Sequence, residues 1–160
     1  MVDNDTTPTL EARLADLGGE LLMAQWAALA CGQLVAVPQD EADASWAPPL
    51  TRDDGKLALG LPARQLHAAV RALQPWPGAI FATVLGEDWK VGAAGLSWDE
   101  QPAPQGVVAA IDRTRVWLGC GQGRLGITEL QRPNKARAAA PDVLRGVRLG
   151  VGAQLARAPT

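Results

Sequence analysis

Leu10, Leu14, Leu17 and Leu21 recur at spacings of 4, 3 and 4, the period of one face of an α-helix. Thr7-Pro8 ahead of them reads as an N-cap followed by proline at the first helical position, where the absent N–H costs nothing. Gly18-Gly19 weakens this helix by about 1 kcal/mol per glycine relative to alanine. The apolar run resumes through ELLMAQWAALA and stops at Gly32. Between Val37 and Gly60 the periodicity fails, and three prolines with a cluster of acids predict an extended, partly ordered linker. Asp53-Asp54-Gly55 within it reads as a turn. Pro62 opens a second helix, with Leu66, Val70 and Leu73 on one face. Pro75 cannot donate a backbone hydrogen bond and disfavours helix at Gln74, so this helix ends there. Pro77 and Gly78 complete a stiff elbow around Trp76, whose side chain is expected to enter a core.

Beyond the elbow the pattern changes to short apolar runs: IFATVL, WKVGAAGL, GVVAAI, RVWLGC, GRLGITEL and VRLGVGAQL. Turn signals separate them at Gly86-Glu87-Asp88, Gln101 to Pro104, Asp112-Arg113-Thr114 and Gly121-Gln122-Gly123. Five or six strands, with one short helix started by Pro141, predict a mainly β fold. The expected form is a small closed OB-like Greek-key barrel, preceded by the N-terminal helix and linker. The organisation follows as a helical appendage over residues 1–34, a linker over 35–60 and the barrel domain over 61–160. The leucine face of the first helix needs a surface to cover, either on the following domain or on something outside the chain.

Composition narrows the classes. A chain of 160 residues with 48% apolar and 20% charged side chains is an ordinary globular protein. It is large enough to bury roughly 70% of its unfolded surface without covalent staples. Its apolar stretches fall far short of the roughly 20 residues that span a bilayer. The polar, acidic start MVDNDTTPTL reads as neither signal nor transit peptide, so the expected location is cytoplasmic. Cys31 and Cys120 have no metal-type spacing and read as reduced core thiols. The lone histidine, His67, excludes a multi-histidine metal site, and no metal is expected.

Charge is unevenly spread. Residues 1–50 carry a net −7 and residues 51–160 a net +5, with eight basic against two acidic side chains in 113–148. Such asymmetry points to an anionic partner for the C-terminal part, with a plain solvated arginine surface as the blander reading. Gly121-Gln122-Gly123-Arg124-Leu125-Gly126 is formally a GxGxxG, but a strand follows it rather than a helix, so a tight hairpin is expected instead of a dinucleotide site. No nucleophile–base set and no working carboxylate pair is present, so no catalytic residue is assigned. Arg113 and Arg115, two apart, would share one face of a strand. Arg132, Lys135, Arg137, Arg145 and Arg148 crowd the loop and short helix near the C-terminus. Forked guanidinium donors suit phosphate, and a basic barrel surface suits a nucleic-acid backbone without base reading. Trp98 and Trp117 are possible stacking rings, with core placement the expected one for both.

The order of these features resembles a known family. WAPPLTRDDG (Trp46 to Gly55), RALQPWPGA (Arg71 to Ala79), Gly121 to Gly123, and Leu130 to Lys135 resemble the linker, elbow, hairpin and late loop of the methionyl-tRNA formyltransferases. The resemblance implies that residues 5–32 match the last helix of the catalytic domain, and that the part from about residue 61 is the OB-like domain that helps hold initiator tRNA. It adds Arg52, Lys56 and Lys90 to the basic residues expected at tRNA. The family's folate-binding segment and catalytic trio lie upstream of anything matched here. The resemblance therefore implies no cofactor bound by this chain, with 10-formyltetrahydrofolate and formyl transfer left to a catalytic domain and a separate catalytic chain as a candidate partner. The sequence departs from the family pattern at Pro49, Ala136 and Gln154, where the family usually has a basic residue, at Gly92, where it has tryptophan, and at Leu57-Ala58-Leu59. A freestanding binding or scaffold module derived from such a domain is the alternative, and a formyltransferase for another amine a third.

Overall fold

The structure is a computed structural model that describes residues 5–157. The chain divides into two compact units between Leu50 and Thr51.

The first unit is dominated by α1, Thr7–Ala30. Its N-cap is Thr6, one residue earlier than expected, and the Thr6 N–H donates to Thr9 Oγ1 at 2.8 Å. The helix runs unbroken through Gly18-Gly19, so the propensity cost of two glycines does not interrupt 24 residues. It ends as the sequence predicts, at Gly32 with φ +65°. The Gly32 N–H donates to Leu29 O and the Gln33 N–H to Ala28 O, the paired bonds of a Schellman cap. No residue of α1 is buried. Cys31, expected in a core, is exposed. A single 3₁₀ turn, Glu41–Asp43, follows, capped by the Asp40 carboxylate accepting from the Ala42 N–H at 2.9 Å.

The second unit holds the core. After a 3₁₀ turn at Asp53–Gly55 come α2 (Ala63–Ala72), β1 (Ala79–Ala82), β2 (Asp88–Val91), β3 (Ser97–Asp99) and β4 (Val108–Ile111). Then follow β5 (Val116–Gly119), β6 (Arg124–Ile127), β7 (Glu129–Gln131), β8 (Ala138–Ala139) and α3 (Ala140–Gly146). The strands make two antiparallel four-stranded sheets, β1-β2-β7-β8 and β3-β6-β5-β4. The second has Greek-key order, with a β4-β5-β6 meander returning beside β3. Only Thr128 separates β6 from β7, so the chain steps from one sheet to the other there.

The last apolar run, expected as a strand, does something else. Arg148 (φ +57°) and Gly152 (φ +85°) break it, and residues 153–157 instead bridge the two sheets. The Arg157 N–H donates to Ala82 O and the Leu155 N–H to Gly106 O, both at 2.8 Å. This segment closes the sheets into the expected mainly β, barrel-like domain. β3 and β8 went unmarked in the apolar pattern because β3 is three residues long and partly polar and β8 is only two alanines.

Alternation sorts the side chains. Ala79, Phe81, Trp89, Val91, Leu118, Leu125, Ile127 and Leu130 point inward. α2 lays Leu66 and Val70 across β3 and β6 and buries His67 in the same face. α3 packs on β7 and β8 through Leu144. The elbow corrects one expectation: Trp76 is 54% exposed. Leu73 and Ala79 close the core on either side of it, which leaves the tip of the turn in solvent. Gly78 has φ +81° and donates to Leu73 O at 2.8 Å. A Cβ on Gly55 would lie 2.5 Å from the Gly78 carbonyl oxygen, so glycine is required where the linker meets the elbow.

Candidate nucleic-acid interface

Because β1, β2 and β7 bury alternate residues, the intervening ones form an outward face. Lys56 bridges to Ile80, Ile80 pairs with Lys90, and Lys90 pairs with Gln131. These four residues make one cross-strand row. Gln131 Nε2 donates to Lys135 O at 2.9 Å, tying the loop that carries Lys135 to the end of the row. Lys56, Lys90 and Lys135 are exposed. Lys56 Nζ lies 2.6 Å from Asp53 Oδ1, and the hydrogen bond and charge of Asp53 raise its pKa. Both partners are largely in solvent, so this pair holds the ammonium loosely. Arg52, exposed, sits just ahead of the same 3₁₀ turn.

Two expected phosphate ligands are otherwise engaged. Arg132 makes a bidentate pair with Glu87, Nε to Oε2 at 3.0 Å and a terminal nitrogen to Oε1 at 2.8 Å. Its guanidinium also lies 5.8 Å from the centre of the Trp89 ring. Glu87 accepts from Trp89 Nε1 at 2.8 Å as well. Arg132 first, then Trp89, hold the Glu87 carboxyl at about 2, well below its ordinary range. Arg132 is thus a clamp joining the β1–β2 hairpin to the strand beside it. Arg137 stands 3.7 Å from Glu129, which lies against Gly92, where any Cβ would collide with it.

A second group gathers at the β4–β5 hairpin. Arg113 and Arg115 do not share a strand face; they belong to the hairpin turn between Ile111 and Val116. Asp112 Oδ1 accepts from the Thr114 and Arg115 N–H groups at 2.8 Å each. Those bonds and one from Trp117 Nε1 to Oδ2 at 2.9 Å pull the Asp112 pKa down to about 2. A groove of about 430 Å³ runs between this hairpin and α3, with Ile111, Pro141 and Leu149 as apolar wall and Arg113 and Arg145 at the rim. Arg145 pairs with Asp142 at 2.6 Å in solvent. Arg148 follows α3, exposed.

Arg124, which no sequence argument singled out, is paired with Asp99 through Nε at 3.0 Å and a terminal nitrogen at 2.5 Å. Its guanidinium lies 5.1 Å from the centre of the Trp117 ring. Trp117 and Trp98 are not core residues. Trp98 is 36% exposed on the edge strand β3, and Trp117 lies half-buried on the outer face over Gly126. The alternation of Val116 and Leu118 inward already implied Trp117 outward. The GxGxxG is the expected hairpin: Gly123 has φ +75°, and a Cβ on Gly121 would collide with the carbonyl of Gly60. Among the described residues no group of His, Cys, Asp and Glu could hold a metal ion, and no helix is long and apolar enough to cross a membrane.

The architecture is that of a small antiparallel barrel-like domain, with its linker locked onto a proline elbow and cations on its outer face. The family model described as formyl transferase, C-terminal domain, matches residues 49–148, and the chain belongs to that family. It is 39% identical to the methionyl-tRNA formyltransferase of Gluconacetobacter diazotrophicus over 94% of this chain and 47% of that protein. It is 35% identical to that of Levilactobacillus brevis over 98% of this chain and 50% of that one. The chain thus spans about half the length of the curated relatives it matches. Among solved structures, HypX from Aquifex aeolicus superposes with a TM-score of 0.63 at 19% identity, over 88% of this chain and 26% of that one. At that identity the likeness is one of fold.

Proposed function

We propose that this chain is the tRNA-contacting region of a methionyl-tRNA formyltransferase, acting in translation initiation in the cytoplasm. The observation that carries the reading is its 39% identity to such an enzyme over 94% of its own length. On this reading the barrel is of the OB type, and its outward cations meet the phosphate backbone of initiator tRNA. Lys56, Lys90 and Lys135 form the centre, because their heads stand in solvent and give up little on meeting a phosphate. Arg52, Arg113, Arg115, Arg145 and Arg148 extend the contact as exposed or half-buried cations around the barrel. Arg132 and Arg137 serve mainly to shape the surface, since each already faces a carboxylate. Such contacts position the nucleic acid without reading its bases. Formyl transfer from 10-formyltetrahydrofolate belongs to the half of the relatives that this chain does not match, and no step of it is assigned to residues described above.

The test is binding of the purified chain to initiator tRNA, with an elongator tRNA beside it, followed by fluorescence anisotropy at two salt concentrations. Affinity is expected to fall with salt, with a log–log slope of roughly −0.7 to −0.9 for each phosphate contacted. Lys56→Glu with Lys90→Glu is expected to flatten that slope by about 2, one for each lost contact. Absence of binding even at low salt would sink the reading and leave the alternative of a binding or scaffold module that has lost its tRNA work.

A further inference from the structure

Four tryptophans lie beyond Thr51, and their surroundings differ. Trp89 is buried. The Trp117 ring is engaged by the Arg124 guanidinium, and its Nε1 by Asp112. Trp98 lines a groove of about 230 Å³ beside Asp99 and Glu100, carboxylates that turn a polyanion away. Trp76, at the tip of the elbow, is 54% exposed.

A single exposed tryptophan is ordinary surface. What sets Trp76 apart is how it is held. Pro75 and Pro77 lock φ on either side of it. The elbow is fastened at both ends: the Gly78 N–H donates to Leu73 O at 2.8 Å, and Gln74 Nε2 donates to Val91 O at 3.3 Å. Pro77 packs against Gly55. A ring on such a mount gives up little conformational freedom when it makes a contact. Both fastenings adjoin the lysine row, since Gly55 precedes Lys56 and Val91 follows Lys90. The acids of the neighbouring turn are already engaged. Asp53 pairs with Lys56, and Asp54 accepts from the Thr51 N–H and hydroxyl at 2.6 and 2.7 Å.

We infer that Trp76 is a stacking residue for an unpaired base of an RNA whose phosphate backbone lies on the Lys56–Lys90 row. Cations beside a rigid, exposed aromatic ring are the parts of a single-strand site: phosphates meet the ammonium groups, and a splayed base lies on the indole. Every base has a π-face, so the contact adds affinity for unpaired RNA without selecting its sequence. A duplex keeps its bases in its own stack and offers the ring nothing. The inference rests on the proposed RNA contact and names a further residue of the same surface.

The test titrates the full chain by fluorescence anisotropy against a single-stranded RNA and a blunt RNA duplex, each about twelve nucleotides long, with initiator tRNA beside them. Trp76→Ala is expected to weaken single-strand binding by about five- to a hundred-fold and duplex binding by no more than about twofold. The salt slope should stay as in the wild type, because no phosphate contact is lost. Trp76→Phe keeps a ring and should recover most of the affinity. Calorimetric melts of both variants matching the wild type separate this effect from a folding defect. Four results would overturn the inference: an alanine variant within about twofold of wild type on the single strand, an equal loss on the duplex, a phenylalanine variant no better than alanine, or a chain that binds tRNA and not the single strand. Binding that falls with Lys56→Glu and Lys90→Glu but ignores Trp76 sinks only the stacking. No binding of any of the three RNAs sinks the proposed function, and the stacking with it.

Discussion

Glu87 shows how one carboxylate can organise several elements. It accepts from Arg132 twice and from Trp89 Nε1 once, and its pKa is held at about 2. A carboxyl with a lowered folded-state pKa contributes stability above its ordinary value near 4.3 and loses it as pH falls through the folded value. Glu87→Gln should therefore melt several degrees below wild type at pH 7, with the gap closing between about pH 5 and 2. A gap that stays constant across that window in circular-dichroism melts would refute the clamp. The two thiols differ for an equally local reason. Cys120 is 3% exposed, and burial pushes its pKa up to about 11, whereas Cys31 lies in solvent. Alkylation at pH 8 should modify one thiol per native chain and two in denaturant, read by intact mass. Neither environment was legible in the sequence, where both cysteines sit in similar small, apolar company.

At the scale of elements, the proline elbow and α2 carry opposite lessons. The spacing of Leu66, Val70 and Leu73 gave the buried face of α2 correctly, because a helix against a sheet must bury one stripe. Leu66→Ala is expected to cost about 2–5 kcal/mol, through lost transfer energy and the cavity left between α2 and the strands. Trp76 is as apolar, but it stands at the tip of the turn, so Trp76→Ala should change stability by no more than about 0.5 kcal/mol. Urea titration of both variants checks the pair, and a large loss at Trp76 would contradict the exposed elbow. Turn residues fix where a chain reverses. They do not say which side of the reversal the core occupies, and that is why the elbow was read and its tryptophan misplaced. The same limit explains Arg113 and Arg115, two apart in sequence but divided by a hairpin turn pinned on Asp112.

At the scale of the whole chain, every buried apolar residue among the described ones lies at Leu59 or beyond, in the compact unit that starts at Thr51. A chain starting at Thr51 should therefore keep a cooperative melt, with a midpoint within a few degrees of the full-length protein by calorimetry. A broad, non-cooperative transition would mean that the first fifty residues support the barrel after all. The basic surface belongs to this scale as well. The +5 charge of residues 51–160 was countable, yet the row Lys56–Ile80–Lys90–Gln131 arises only because a linker, two hairpin strands and a distant strand lie side by side.

The sequence by itself determined the local order: a capped helix ending at Gly32, a second helix stopped by Pro75, and short alternating strands punctuated by glycine and aspartate turns. Periodicity and turn chemistry act over a few residues, so they survive without knowledge of neighbours. Tertiary structure alone decided which arginines are bound to Glu87, Asp99 or Glu129, since a partner 8, 25 or 45 residues away has no local signature. It also decided that residues 153–157 close the barrel. Their hydrogen bonds run to Ala82 and Gly106, and only the folded sheets bring those two positions together.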